Sequence, residues 1–511
     1  MRITDMPRTR PTRPLPICAA ILAVCLSACA PVGPQTSVQT APQTGAPSER
    51  VAIARDPSSQ AKGDELHPEV VKRFGGAYEN PRLSGYVDGI GRRIVDVTTQ
   101  PDERWTFTVL DTPLVNAFAL PGGYIYVTRG LVALAEDEAE LAGVVAHEIA
   151  HVTAQHSARR EQRTQVAGAG LLLGSLGLAA IGLEPPVVGS LLQNALGGTL
   201  ASYSREDERE ADRVGIGYLA AAGYDPMAQA DFLEALARDA RLEAELAGQT
   251  YDPEATGFFA THPATAGRGR EARAVAVATG AVGGERGREP HLRAIDGMAW
   301  GPSAAQGFVR DGVFLHPVLD FRFDVPRGWA IANQPDAVVM AARDGTRAIF
   351  DGEGARGRDP ARYISEVWAP AINQAVTSGE VSRLERLEIG GARAARALMP
   401  IQLGDTTFTG LLVAIERGAQ VYRFLGLVPR NGRSASTLAA MSQSFRRLGA
   451  EERRDARQRR IEIVRVGAGQ SEADLAARMA VEDGALERFR VLNDRQPGDS
   501  LIAGAEVKLV R

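Results

Sequence analysis

Residues His147-Glu148-Ile149-Ala150-His151 read H-E-I-A-H, inside the longer run Glu138 to His156, E-A-E-L-A-G-V-V-A-H-E-I-A-H-V-T-A-Q-H. Leu141, Val144, Val145, Ile149 and Val152 recur at three- and four-residue steps, which predicts an amphipathic helix. Positions four apart stack on one helical face, so His147 and His151 can reach a single Zn²⁺ at about 2.0–2.1 Å. Glu148 follows the first histidine and is placed to work on water rather than on the metal. The neighbours Ala146, Ile149 and Ala150 are small or apolar, and unpartnered imidazoles are costly to bury among such residues. The pattern predicts a zinc metallopeptidase.

A third ligand is expected from the stretch Tyr203 to Gly215, Y-S-R-E-D-E-R-E-A-D-R-V-G, which continues as a helical pattern through Leu219. Glu208 and Asp212 are four apart and share a face, whereas Glu206, Asp207 and Glu210 point elsewhere. Glu208 would complete a two-His, one-Glu set, and Asp212 would accept a hydrogen bond that fixes the tautomer of a ligand histidine. The H-E-x-x-H-x-x-G-x-x-H arrangement of metzincins does not fit, because Ala154 stands at the glycine and the next histidine is His156. Five residues beyond His151 lies off the ligand face, so His156 is expected to be exposed or to stand behind a ligand.

Three segments together resemble peptidase family M48: V-N-A-F-A-L-P-G-G-Y-I-Y-V-T-R-G-L (Val115 to Leu131), H-E-I-A-H-V, and Y-S-R-E-D-E-R-E-A-D. That family includes CAAX-prenyl proteases, HtpX and periplasmic outer-membrane quality-control proteases. Its ligand glutamate, four residues before an aspartate, falls on Glu208 and Asp212. Its downstream T-H-P and arginine fall on Thr261, His262, Pro263 and Arg268. The resemblance covers about residues 63–278 and implies a mainly helical gluzincin domain with one zinc per chain. It also implies an edge strand that takes the substrate. Tyr124, Ile125 and Tyr126, within the strand-like Gly122 to Val127, are the expected edge residues, to which an extended peptide adds by main-chain hydrogen bonds. In such a site Glu148 is the general base, and His262 or Arg268 donates to the developing oxyanion. His262 has an alternative role, occupying the open metal position and holding the enzyme latent.

The N-terminus predicts a compartment. Arg2, Arg8, Arg10 and Arg13 precede an apolar run, Ile17 to Leu26, that ends in Leu26-Ser27-Ala28-Cys29, a signal peptide with a lipobox. Cleavage before Cys29 would leave a lipidated cysteine and a periplasmic protein anchored at the outer membrane, since Ala30 rather than Asp follows. The run is too short to remain as a spanning helix. All three cysteines (Cys18, Cys25, Cys29) lie here, so no disulfide is expected downstream. Residues 29–62 read as a flexible tether rich in Pro, Gln, Thr, Ser and Ala. Residues 1–28 carry four Arg and one Asp, so their removal takes the formal charge from −4 to −7. No basic tract suggests nucleic-acid binding. An apolar insert, Ala167 to Leu183, is expected to form a hairpin near the active-site cleft, with dipping into a membrane as an alternative.

Beyond the peptidase region, residues 279–300 read as a linker on account of the Gly-rich Gly280 to Gly287. Residues 301–449 predict a small α+β domain, faintly like the PsbP-type fold. Its strands are Phe321 to Trp329, Phe408 to Ile415 and Val421 to Val428, and its helices about Pro360 to Val376 and Ser434 to Phe445. His316 reads as a structural or surface residue there. Residues 461–511 resemble a LysM domain: strand Ile461 to Arg465, helices at Leu475 to Met479 and Glu487 to Leu492, Leu492-Asn493, and strand Val507 to Val510. Gly467-Ala468-Gly469-Gln470-Ser471 replaces the usual P-G-D-T/S. LysM domains bind N-acetylglucosamine polymers such as peptidoglycan. The fold class expected is therefore α+β: a helical gluzincin domain, a small α+β middle domain and a βααβ tail. The expected function is cleavage of misfolded or misassembled envelope proteins. The alternatives are a largely latent assembly factor and a peptidoglycan peptide hydrolase.

Overall fold

The computed structural model describes residues 57–159, 203–246, 248, 250–252, 257–262, 267–333, 337–354, 358–403, 406–481 and 483–511. The signal peptide, Cys29, most of the tether, the apolar insert 167–183 and Pro263 lie outside the described residues. Helix and sheet are mixed, in keeping with the α+β expectation.

The peptidase region opens with helices α1 (Pro57–Arg73) and α2 (Pro81–Val95). Asn80 starts α2 by accepting a hydrogen bond from the Leu83 amide, with Pro81 at the first helical position. Strands β1 (Thr106–Leu110), β2 (Ala117–Leu120) and β3 (Tyr124–Thr128) form a sheet in the order β1-β3-β2, with β1 parallel and β2 antiparallel to β3. The strand expected at the edge, β3, is thus the central strand, and Tyr124, Ile125 and Tyr126 are buried. A central strand has its main-chain groups paired on both sides and cannot take on a further strand. The two edges belong to β1 and β2.

A short helix α3 (Arg129–Leu134) leads into α4 (Glu138–Thr153), the helix carrying H-E-I-A-H. Asp137 caps α4 by accepting from the Glu140 amide at 2.9 Å. α4 is buried without a break from Ala139 to His151, as a helix apolar on nearly every side must be. It is packed among α2, the sheet, α5 (Arg205–Ala221) and α6 (Met227–Leu246). α5 begins with a reciprocal capping box between Ser204 and Asp207. α7 (Arg268–Ala278) and α8 (Arg288–Ile295) complete this part.

The stretch expected to be a linker is instead built into the core. The Glu285 carbonyl accepts from the Asp225 amide at 3.0 Å, and the Arg286 carbonyl accepts from Ala139 at 3.0 Å, in the first turn of α4. A Cβ on Gly284 would stand 2.7 Å from the Tyr224 carbonyl, so glycine serves close approach rather than flexibility. Arg286 adds ion pairs to Asp137 at 2.7 Å and Asp231 at 2.9 Å.

The middle region packs two antiparallel sheets. One is β4 (Phe308–Arg310), β5 (Val313–His316) and β6 (Phe321–Asp324). The other has seven strands: β7 (Ala330–Asn333), β8 (Ala337–Ala341), β9 (Arg347–Gly354), β10 (Ser382–Ile389), β11 (Ala392–Leu403), β12 (Thr406–Arg417) and β13 (Gln420–Pro429), in the order β10-β11-β12-β13-β9-β8-β7. Phe314, Phe321, Phe323, Phe350, Phe424 and Phe445 fill the space on one face of the large sheet. Helices α9 (Pro360–Tyr363) and α10 (Ala369–Ala375), joined by a π-turn at Ile364–Trp368, cover the other. Helices α11 (Ala435–Gln443) and α12 (Ala450–Asp455) lead out of this region. His316 is buried, and its Nδ1 accepts from the Leu319 amide at 3.2 Å.

The tail has the βααβ order: β14 (Ile461–Arg465), α13 (Glu472–Ala476), α14 (Ala485–Leu492) and β15 (Glu506–Val510), with β14 and β15 antiparallel. It does not stand apart. Ile461, Leu475, Phe489, Leu509 and Val510 belong to the same apolar core as α2, α4 and α6. Among the described residues no helix is long and apolar enough to cross a membrane.

Candidate metal centre

α4 and α5 cross closely because α5 has no side chain at Gly215. A Cβ there would lie 3.0 Å from the His147 amide nitrogen. This approach brings Glu208 of α5 over the two histidines of α4. His147 Nε2 and His151 Nε2 are 3.0 Å apart. Glu208 Oε2 lies 3.4 Å from His147 Nε2, and Glu208 Oε1 lies 3.3 Å from His151 Nε2. His262, after the 3₁₀ turn Gly257–Ala260, brings its Nδ1 to 3.3 Å from His147 Nε2 and 3.1 Å from Glu208 Oε1.

These spacings test whether the residues suit a metal. Ligands about 2.0–2.1 Å from a tetrahedral zinc are separated from one another by about 3.3–3.4 Å. The donor pairs given above are 3.0–3.4 Å apart, close to that spacing, and the donor atoms of all four residues lie within 4.8 Å of one another. Nitrogen and carboxylate oxygen are the donor types zinc favours. The charges agree: burial disfavours the charged form of His147, yet the carboxylates of Asp212 and Glu208 outweigh it and raise His147 to about 9. The pocket therefore attracts positive charge. Burial raises Glu208 too, but His262 and Arg268 outweigh it and hold it well below its usual range. His151 goes the other way, lowered well below its usual value by burial.

The surrounding groups orient the donors. Asp212 Oδ1 lies 3.0 Å from His147 Nδ1, the nitrogen facing away from the cluster. Arg268 Nε donates to Asp212 Oδ2 at 2.7 Å, and its Nη2 reaches Asp212 Oδ1 at 2.8 Å and Glu208 Oε2 at 2.9 Å. Its Nη1 donates to the His262 carbonyl at 3.3 Å. With those contacts, Arg268 holds the carboxylates of Asp212 and Glu208 in place. Glu148 is fully buried, and neither of its carboxylate oxygens has a hydrogen-bond partner among the described residues. Burial raises its pKa, as a proton-transferring carboxylate needs. His262 Nε2 is 3.4 Å from Glu148 Oε1.

Sequence reasoning missed Tyr203, whose ring stacks on His151 with centroids 3.8 Å apart. It also missed Phe258, stacked on His262 at 4.3 Å. Tyr203 opens the quoted acidic stretch, but nothing in a helical pattern marks a residue ahead of the cap. Asn116, just before β2, is buried and 3.5 Å from the Thr261 hydroxyl, so the edge strand lies beside the His262 segment.

Parts of the chain are similar to known proteins. Residues 81–276 match the model of Peptidase family M48. The beta-barrel assembly-enhancing protease of Escherichia coli K12 is 32% identical over 198 residues, 38% of this chain and 39% of that protein. The mitochondrial metalloendopeptidase OMA1 of Schizosaccharomyces pombe is 33% identical over 211 residues, 40% of this chain and 58% of that protein. The chain thus spans well under two thirds of the length of these relatives. The solution structure of cyanobacterial PsbP from Synechocystis aligns with 25% of this chain and 87% of its own at 14% identity, with a TM-score of 0.22.

Proposed function

We propose that this chain, which carries a peptidase family M48 domain at residues 81–276, is a zinc-dependent endopeptidase of the bacterial cell envelope that cleaves misfolded or misassembled proteins. The observation that carries the reading is the set of four buried donor residues, His147, His151, Glu208 and His262, whose nitrogen and oxygen atoms lie within 4.8 Å of one another. His147, His151 and Glu208 would hold the metal. Zinc bound there supplies a Lewis acid that polarises the scissile carbonyl and acidifies water. Glu148 takes the proton of the attacking water and passes it to the leaving amine. Asp212 and Arg268 keep the ligand carboxylate and His147 in register. The extended substrate adds along β2, at Ala117 to Leu120, one of the two edge strands of the small sheet and the one beside the His262 segment. Main-chain pairing makes few demands on side chains, which suits unfolded envelope proteins as substrates. The name of the Escherichia coli relative supports substrates among β-barrel proteins.

Anchoring through a lipidated Cys29, an outer-membrane location and peptidoglycan binding by the βααβ tail belong to the same proposal and rest on sequence alone. Incubating the purified protein with an unfolded outer-membrane β-barrel protein and with the same protein folded tests it. Fragments from the unfolded form alone are expected, and none with Glu148→Gln. Release of soluble muropeptides from cell-wall sacculi without protein fragments would mean a peptidoglycan peptide hydrolase instead.

One observation favours a second reading, in which the enzyme is largely latent. His262 Nδ1 stands where a fourth ligand would, 3.1 Å from Glu208 Oε1. A His262→Ala variant then cuts faster than the parent. If His262 is an oxyanion donor instead, the same variant cuts about 10²-fold or more slowly.

A further inference from the structure

Of the two histidines in H-E-I-A-H, His147 has a carboxylate behind it and His151 does not. The group behind His151 is another histidine: His156 Nδ1 lies 2.7 Å from His151 Nδ1. His156 is fully buried, and its far nitrogen, Nε2, is 3.3 Å from Glu210 Oε2. Arg159 donates to the same Glu210 oxygen at 2.9 Å and to the Ala154 carbonyl at 2.9 Å.

His156 reaches this position through a break in the helix. α4 ends at Thr153, and Gln155 has φ +55°, a left-handed conformation that a residue with a Cβ adopts at a cost. The turn folds the chain back, so a residue that a continuous helix would point elsewhere lies edge-on to His151, with ring centroids 4.8 Å apart at 75°. Tyr203 covers the face of the same imidazole. The His151 ring is thus fixed on its face and at its Nδ1.

We infer that His156 is a positioning residue of the metal centre: it accepts the His151 Nδ1–H and hands its own Nε2–H to Glu210. This inference rests on the zinc reading above. His151 Nε2 faces His147 and Glu208, so it is the nitrogen that would bind metal and must carry a lone pair. The proton of neutral His151 then sits on Nδ1. His156 Nδ1, at 2.7 Å, must accept it, which places the proton of His156 on Nε2, facing Glu210. One directed relay runs from α4 through the turn to α5, the helix that supplies Glu208. His156 therefore couples the orientation of one ligand to the helix that carries another.

The test compares zinc affinity, by competition with a chromophoric chelator, for the parent, His156→Leu and His156→Asn. Asn places an amide oxygen near the position of Nδ1, whereas Leu removes the acceptor. His156→Leu is expected to bind zinc tenfold or more weakly, with His156→Asn within about threefold of the parent. Equal affinity in all three overturns the inference, as does equal weakening in both variants, which would mark a packing role. Histidine ¹⁵N spectra of the zinc-loaded parent provide a reading independent of any variant. A protonated Nε2 and bare Nδ1 on His156 are expected, and the opposite tautomer overturns the relay. A parent that takes up no zinc overturns the metal centre itself, and the positioning role with it.

Discussion

Lys508 of β15 places its ammonium 2.9 Å from the carbonyl oxygen of Ala135, which ends the helix preceding the one that bears the metal-site histidines. The ammonium also donates to the carbonyls of Ala133 at 3.1 Å and Leu134 at 3.3 Å, and pairs with Glu136 at 3.2 Å. A cation at the C-terminal end of a helix satisfies carbonyls that have no partner within it and complements the helix dipole. The tail thereby clamps the turn from which α4 starts.

Replacing Lys508 by Met takes the ammonium donor from the Ala133 and Leu134 carbonyls, whereas the Ala135 carbonyl keeps His291 Nε2 at 2.9 Å. Hydrogen bonds from a charged donor are worth about 1.5–3 kcal/mol each, so a loss of about 3 kcal/mol is expected. Urea unfolding monitored by circular dichroism measures it. An unchanged midpoint would mean that the tail does not brace the peptidase region.

Gly215→Ala puts a methyl group 3.0 Å from the His147 nitrogen and 3.1 Å from the Ala146 carbonyl carbon. α5 must move away from α4, carrying Glu208 with it. A destabilisation of about 1–3 kcal/mol and weaker zinc binding are expected. Gly217→Ala, on the same helix but with open space around it, is the control. It should be neutral or stabilising by up to about 1 kcal/mol. Similar behaviour of the two variants would contradict the close crossing.

His291 predicts a pH dependence. It is fully buried, its Nε2 lies 2.9 Å from the Ala135 carbonyl, and its Nδ1 is 3.2 Å from the Tyr86 hydroxyl. Burial, with help from the charge of Lys508, lowers it to about 3. A histidine whose folded pKa lies below its unfolded value of about 6.5 favours the neutral form in the fold. Its contribution is complete above about pH 6.5 and is lost as the pH falls toward 3. The slope is up to about 1.4 kcal/mol per pH unit. Unfolding of the chelator-treated protein at pH 7 and pH 5 should show a larger drop for the parent than for His291→Gln. Parallel drops would remove His291 from the account.

The residues of the candidate metal centre are legible because each pair is local: His147 and His151 share a face of one helix, and Glu208 and Asp212 share a face of another. What was lost depends on contacts distant in sequence. Alternation and turn residues marked β3 as a strand, but strand order depends on β1, which pairs with it from upstream. Gly284 reads as part of a linker because its packing on Tyr224 is tertiary. Helical geometry leaves His156 either exposed or behind a ligand, and the left-handed Gln155 decides for the second. Lys508 reads as a surface residue in any pattern of hydrophobicity, yet it is fully buried.

The central claim is that this cluster binds zinc and that Glu148 uses it to cut protein. Zinc content and casein cleavage, measured side by side on the purified protein and its Glu148→Gln variant, test that most directly. About one zinc per chain in both, with cleavage by the parent alone, is the predicted result. A parent without zinc, or a variant that cuts as fast as the parent, would contradict it.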